Sequence, residues 1–103
     1  GRHSERKVMS GYRINRRVTE FGEHVRGWRM VLGLTAQQVS ERAGITRDTL
    51  RKIESGNPNV SFNSVTQVLR ALGILDQLVD AADPLASDIG RLRAGRLTRK
   101  RAR

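Results

Sequence analysis

Cysteine is absent from the 103 residues, and proline, aromatic residues and long apolar runs are scarce. Without cysteine the chain can form neither a disulfide nor a thiolate metal site. No run of about 18 apolar residues occurs, so we expect no membrane-spanning helix. A membrane-surface role fits poorly, because the basic tail has only Leu92 and Leu97 as bulky apolar residues. Two histidines without a dense acidic cluster make a poor metal site, and no catalytic set or phosphate-binding loop is recognisable. We therefore expect no enzyme, no metal and no cofactor.

Basic residues, in contrast, are plentiful. The formal net charge is +10, and 17 of the 20 basic residues are arginine. Arginine binds phosphate through two parallel donors, and a large positive field favours a polyanionic partner. Residues 91–103 carry seven basic and no acidic side chains, whereas residues 57–90 carry one basic and four acidic ones. We expect the basic ends to face nucleic acid and the 57–90 block to face protein.

The spacing of apolar residues predicts an all-α fold of five helices without a substantial sheet. The first helix carries a stripe at spacings of three and four, namely Val18, Phe21, Val25, Trp28 and Leu32. The second helix begins at Thr35 and ends at Gly44, the third begins at Thr46, the fourth follows Ser61 and ends at Gly73, and the fifth runs from Ile74 to near Asp83. We predict a flexible arm over 1–13, one domain over 14–83 and a basic, disordered tail over 84–103.

The turn between the second and third helices has a specific chemistry. Thr35 and Gln38 form a T-x-x-Q capping box, and Gly44 can adopt the positive φ that ends a helix. Ser40 is small, as required where two helices approach closely. Together these positions predict a helix-turn-helix, a device that lays its second helix in the DNA major groove.

Two segments carry a family resemblance. Residues 26–35 read R-x-x-R-x-x-x-G-L-T, and residues 41–56 read E-R-A-G-I-T-R-x-T-L-x-x-I-E-x-G. From about Phe21 to Leu78 the chain resembles the XRE family, the helix-turn-helix regulators of the phage repressor and Cro type. The resemblance implies a five-helix, lambda-repressor-like domain, with the third helix as the reader of double-stranded DNA and repression of transcription as the function.

The same resemblance implies the residues that contact DNA. Arg47, Asp48 and Lys52 fall where such proteins contact base edges. Arg47 and Lys52 could donate to guanine O6 and N7, and Asp48 could accept from cytosine N4. Asp48 has a second interpretation, because an acid in the first turn suits the helix dipole. The expected phosphate contacts are Thr35, Gln37, Thr46, Thr49, Arg51 and Arg29.

Residue 36 departs from the family pattern. The family often has glutamine where this chain has Ala36, and alanine cannot make that contact to phosphate or base. Gln37 is the expected substitute, although its side chain points about 100° away. Arg29 and Glu54 match a family pair that joins the first helix to the third, and we interpret the pair as mainly structural.

Residues after the third helix suggest protein partners. Repressors of this type bind two-fold sites as dimers, and the predicted homodimer surface is Ile74, Leu75, Leu78 and Val79. The alternative is that these four residues simply close the small core. The segment Leu69–Leu78 is similar to HipB-type antitoxins, which repress their own operon and bind a kinase-like toxin. A plain autoregulatory or phage-like regulator is the alternative. The expected location is the cytoplasm, at the nucleoid.

The basic tail has three interpretations: contact with DNA, contact with an acidic patch of a partner, or inert disorder. Its contact residues would be Arg91, Arg93, Arg96, Arg99, Lys100 and Arg101.

A competing class is a helical interaction module that binds RNA or a polymerase-like partner. Single-strand binding relies on stacking by aromatic residues, but the chain has only four, three of which (Phe21, Trp28 and Phe62) are expected in the core.

Overall fold

A computed structural model describes the backbone of residues 2–97 and the side chains of residue 11 and residues 13–97. Over this range it contains six α-helices, one short 3₁₀ helix and no strand. The elements are α1 (Arg2–Val31), α2 (Ala36–Ala43), α3 (Arg47–Glu54), α4 (Phe62–Leu72), α5 (Leu75–Ala82), the 3₁₀ helix η1 (Pro84–Ala86) and α6 (Asp88–Leu92). The prediction of an all-helical fold is confirmed.

Side-chain caps begin the helices that surround the turn, as the sequence predicted. Thr35 accepts a hydrogen bond from the backbone N–H of Gln38 at 3.0 Å, and the Gln38 side chain accepts one from the backbone N–H of Thr35 at 2.9 Å. Gly44 ends α2 with φ of 70°. At the start of α3 the Thr46 side chain accepts from the backbone N–H of Thr49, and at the start of α4 the Ser61 side chain accepts from that of Ser64. These caps satisfy backbone groups that a helix end leaves unpaired.

The chain divides into two compact units, at 73/74. In the first unit, α2 packs on α4 and α1 packs on α3, with further contacts of α3 to α2 and α4. The buried apolar side chains of the described residues all lie in this unit: Val25, Val39, Ala43, Leu50, Ile53, Val68, Leu69 and Leu72. In the second unit, η1 packs on α5 and α6. The single domain predicted over 14–83 therefore crosses the division between the units.

Two glycines allow α1 to approach the end of α3. A Cβ atom on Gly22 would lie 2.6 Å from the carbonyl oxygen of Ile53 and 2.7 Å from that of Glu54. Gly56 has φ of 80°, and a Cβ there would lie 2.6 Å from the Cα of Thr19. Because these neighbours are backbone atoms, a side chain at either position requires the helices to separate. This close contact holds α1 against the third helix.

Helices occur in the described parts of both terminal segments, where the sequence predicted an arm and a tail. Helix α1 begins at Arg2, so residues 2–13 are helical and not an irregular arm. In the tail expected to be disordered, Asp83 caps η1 and Ser87 caps α6. Local capping therefore orders backbone that hydrophobicity alone does not predict.

The predicted aromatic core is wrong in part. Phe62 is 73% exposed, because it opens α4 before the helix reaches the core, where Leu69 and Leu72 are buried. On α1, Val25 is buried, but Phe21 and Trp28 are partly exposed. The core is therefore mainly aliphatic.

Candidate nucleic-acid interface

Helix α3 has one buried face and one charged face. Leu50 and Ile53 are buried, whereas Arg47, Asp48, Arg51 and Lys52 are exposed. The buried pair fixes the rotation of the helix about its axis, and this rotation presents the charged side chains to solvent. A short helix held in this way can enter a groove about 12 Å wide without rearranging.

An ion pair between α1 and α3 supports that orientation. Arg29 donates through Nε to Glu54 Oε2 at 2.7 Å and through Nη2 to Glu54 Oε1 at 3.0 Å. The side chains are 16% and 11% exposed, respectively. The hydrogen bonds to Glu54 raise the pKa of Arg29 against the opposing effect of burial. Nη1 of Arg29 also donates to the Leu34 carbonyl at 3.3 Å.

The structure thus brings Arg29 and Glu54 together as a bidentate ion pair. This arrangement favours the structural role over the phosphate contact also expected of Arg29, because the guanidinium already has three protein acceptors and is largely shielded from solvent. A phosphate would have to compete with a carboxylate held in good geometry.

Asp48 is paired with both cations that follow it on α3. Arg51 Nη2 lies 2.6 Å from Asp48 Oδ1, and Lys52 Nζ lies 3.4 Å from Asp48 Oδ2. The hydrogen bond from Arg51, followed by that from Lys52, lowers the pKa of the Asp48 carboxyl group. All three side chains remain exposed. The pairs are therefore exchangeable, and a base edge or phosphate can replace either partner at modest cost.

The threonines expected at phosphates have a first role as helix caps. Thr46 Oγ1 accepts from the Thr49 backbone N–H at 3.1 Å and lies 2.9 Å from Thr49 Oγ1. Thr35 Oγ1 accepts from Gln38. A hydroxyl that accepts from the backbone still has a hydrogen to donate, so capping and phosphate contact are compatible.

Gln37, the expected substitute for a glutamine at position 36, is engaged elsewhere. Its Nε2 donates to Glu41 Oε1 at 2.8 Å on the exposed face of α2. Ala36, in contrast, lines an open groove of about 670 Å³ together with residues of α1 and α3. The groove is also lined by Arg26, a residue that sequence reasoning did not place in the site. Only the packing of α1 on α3 reveals it.

The predicted dimer and tail residues lie in the second unit. Ile74, Leu75 and Leu78 are half-buried, and Val79 is exposed. Arg91 donates to the Leu85 carbonyl and to Asp88, whereas Arg93 and Arg96 are exposed. The predicted contacts Arg99, Lys100 and Arg101 lie outside the described residues.

No membrane-crossing helix occurs between residues 2 and 97, since none there is both long and apolar enough. Among the side chains that the structure describes, no group of three histidine, aspartate or glutamate residues lies close enough together to hold a metal ion.

Comparison with known proteins agrees with this geometry. A family model described as a helix-turn-helix domain matches residues 20–82, which is more than half of the chain. The chain belongs to the helix-turn-helix domain family. This helix-turn-helix domain is also 39% identical, over 49 residues, to an "uncharacterized HTH-type transcriptional regulator" of Methanothermobacter thermautotrophicus. That match covers 48% of the chain and 71% of the relative. No solved structure matches the chain.

Proposed function

We propose that the protein binds double-stranded DNA sequence-specifically and regulates transcription, most simply as a repressor. The observation that carries this proposal is the orientation of α3, whose buried Leu50 and Ile53 turn Arg47 and Lys52 outward. The net charge of +10 supplies the attraction to phosphate. The regulatory role is supported by the name of the archaeal relative. Such a function would be exercised at the nucleoid.

In this proposal, α3 lies in the major groove and Arg47 reads a guanine through O6 and N7. Arg47 stands in the first turn of α3, where recognition helices present base-contacting side chains. Lys52 and Asp48 read neighbouring bases, and Asp48 must exchange its bonds to Arg51 and Lys52 for a base donor. Arg51, once released, is free to bind a phosphate together with the capping residues Thr35, Thr46 and Thr49.

Selection from a random duplex library, followed by binding measurements on the selected and a scrambled duplex, tests the proposal. Arg47→Ala should cost about 1–3 kcal/mol on the selected duplex, relax the preference at one base pair and leave scrambled binding nearly unchanged. Arg13→Ala removes the same charge from a distant part of α1 and serves as the control. A library that yields no preferred sequence would contradict sequence-specific binding.

The operator-bound form in this proposal is a homodimer formed through α5. Leu75, Leu78 and Val79 form an apolar stripe on a helix that contributes no buried side chain. A dimer predicts a selected site with two-fold symmetry and half-sites about 34 Å apart. Leu78→Asp should convert the dimer to a monomer in sedimentation experiments. A wild-type chain that is monomeric at the concentrations where it saturates the selected duplex would rule the dimer out.

A second candidate function adds a kinase-like toxin as partner. It is supported by the resemblance of Leu69–Leu78 to HipB-type antitoxins and by the exposed apolar side chains of Val79, Ile89 and Leu92 in the second unit. Co-expression with the neighbouring reading frame tests it. A stable complex with a kinase-like product would establish the antitoxin role, and separate elution of the two products would leave the plain regulator.

A further inference from the structure

The groove between α1 and α3 is lined by side chains of three helices. Arg26 comes from α1 and Ala36 opens α2. The wall formed by α3 and its C-terminal cap consists of Arg47, Asp48, Leu50, Arg51, Glu54 and Ser55. Leu50 is buried and Ala36 half-buried, so the floor is apolar and contributes no hydrogen-bonding side chain. The rim carries the charges.

The charged side chains of this rim differ in whether they form ion pairs. Both carboxylate oxygens of Glu54 accept from Arg29, and Asp48 is occupied by Arg51 and Lys52. Among the side chains that the structure describes, no carboxylate pairs with Arg26 or Arg47. The groove thus presents two guanidinium groups without a described ion-pair partner, one on α1 and one on α3.

We propose that Arg26 binds a DNA backbone phosphate beside the base pair that Arg47 reads. The proposal rests on the DNA-binding function above. When α3 lies in the major groove, the strand that borders the groove passes the neighbouring helix, and α1 presents Arg26 there. Guanidinium binds phosphate oxygens through two donors in fixed geometry. A phosphate contact of this kind sets the register of the protein on the duplex.

The small side chain at position 36 belongs to the same arrangement. Ala36 lines the groove with Arg26 and Arg47, and its side chain is only a methyl group. A glutamine there would extend into the groove and offer its amide to the same phosphate. We infer that Arg26 supplies from α1 the contact that Ala36 cannot make from α2.

The experiment measures the salt dependence of binding to the selected and the scrambled duplex for Arg26→Ala, Arg26→Lys and the control Arg13→Ala. Arg13 lies thirteen residues from Arg26, about 20 Å along α1, and does not line the groove. Arg26→Ala should weaken binding by a similar factor on both duplexes and reduce the slope of log K against log salt by about 0.9. Arg26→Lys should keep the slope, and Arg13→Ala should lower the slope less than Arg26→Ala does and leave the sequence preference unchanged.

Adding Ala36→Gln to Arg26→Ala tests the link between the two positions. Glutamine is uncharged, so the double variant should regain affinity without regaining slope. No gain in affinity would overturn the inference that residues 26 and 36 serve the same phosphate. An unchanged slope in Arg26→Ala, or a changed base preference, would overturn the phosphate contact while leaving DNA binding intact. Failure of the unmodified protein to bind either duplex would overturn the proposed function itself.

Discussion

The two units of the chain differ in how they are held together. The first unit, described over residues 2–73, contains every buried apolar side chain among the described residues. The second, described over 74–97, contains none, and its elements η1 and α6 begin where the side chains of Asp83 and Ser87 accept hydrogen bonds from backbone N–H groups. A capping bond contributes about 1 kcal/mol, whereas a buried leucine contributes about 1.5–3 kcal/mol. We therefore expect the second unit to open locally while the first stays folded.

The largest expected effect comes from filling the contact between α1 and α3. Gly22→Ala places a methyl group against three backbone atoms of residues 53–56, and backbone cannot move aside as a side chain can. We expect a loss of about 3 kcal/mol in the free energy of unfolding, measured by urea denaturation. The matched control is Gly27→Ala on the same helix, where a Cβ meets nothing within 4 Å. This variant should gain about 0.5–1 kcal/mol from helix propensity. Equal stabilities would show that α1 does not pack tightly on α3.

A smaller effect is expected from the equivalent change in the second unit. Gly90→Ala brings a methyl group onto the Pro84 carbonyl, so α6 has to move away from η1. Because the described part of this unit, residues 74–97, has no buried apolar side chain, the main urea transition should shift by less than about 1 kcal/mol. Amide exchange should accelerate in 84–93 but not in α2 to α4. Gly95→Ala is the control, since a Cβ there meets nothing within 4 Å. A large shift of the main transition would show that the two units unfold together.

The smallest effect concerns the charged surface of the first unit. The pKa of Asp48 is lowered chiefly by the hydrogen bond from Arg51 and also by Lys52. Because the pKa of Asp48 is lower in the folded state, its ion pairs stabilise the fold when the pH is above the unfolded-state pKa of about 3.9. This stabilisation is lost as the pH falls through the folded-state pKa. Asp48→Asn should therefore be slightly less stable than the unmodified chain from pH 5 to 7. The difference should shrink as pH falls below the unfolded-state value, and high salt should reduce it. A difference that does not shrink as pH falls would exclude this ion-pair origin.

Much of the helix-turn-helix formed by α2 and α3 is predictable from the sequence because it depends on local rules. Each rule involves only a few neighbouring residues: the capping box of Thr35 and Gln38, the left-handed Gly44, and the helical spacing of buried and exposed residues on α3. The pairing of Arg29 with Glu54 was suggested only by family resemblance. Local rules failed for Phe62, because apolar spacing shows which face of a helix is hydrophobic but not how far along the helix the core extends.

The sequence by itself determined that this protein is helical, basic and built around a helix-turn-helix, since periodicity, caps and charge are written in short segments. The tertiary structure decided which charged side chains form ion pairs and which of the described ones remain available to a ligand. Packing of α1 on α3 pairs Glu54 with Arg29, places Arg26 in the groove beside Arg47 and leaves Ala36 as its open floor. These contacts join residues far apart in the chain. They follow from the close approach of α1 to α3 at Gly22, and no local sequence pattern specifies that approach.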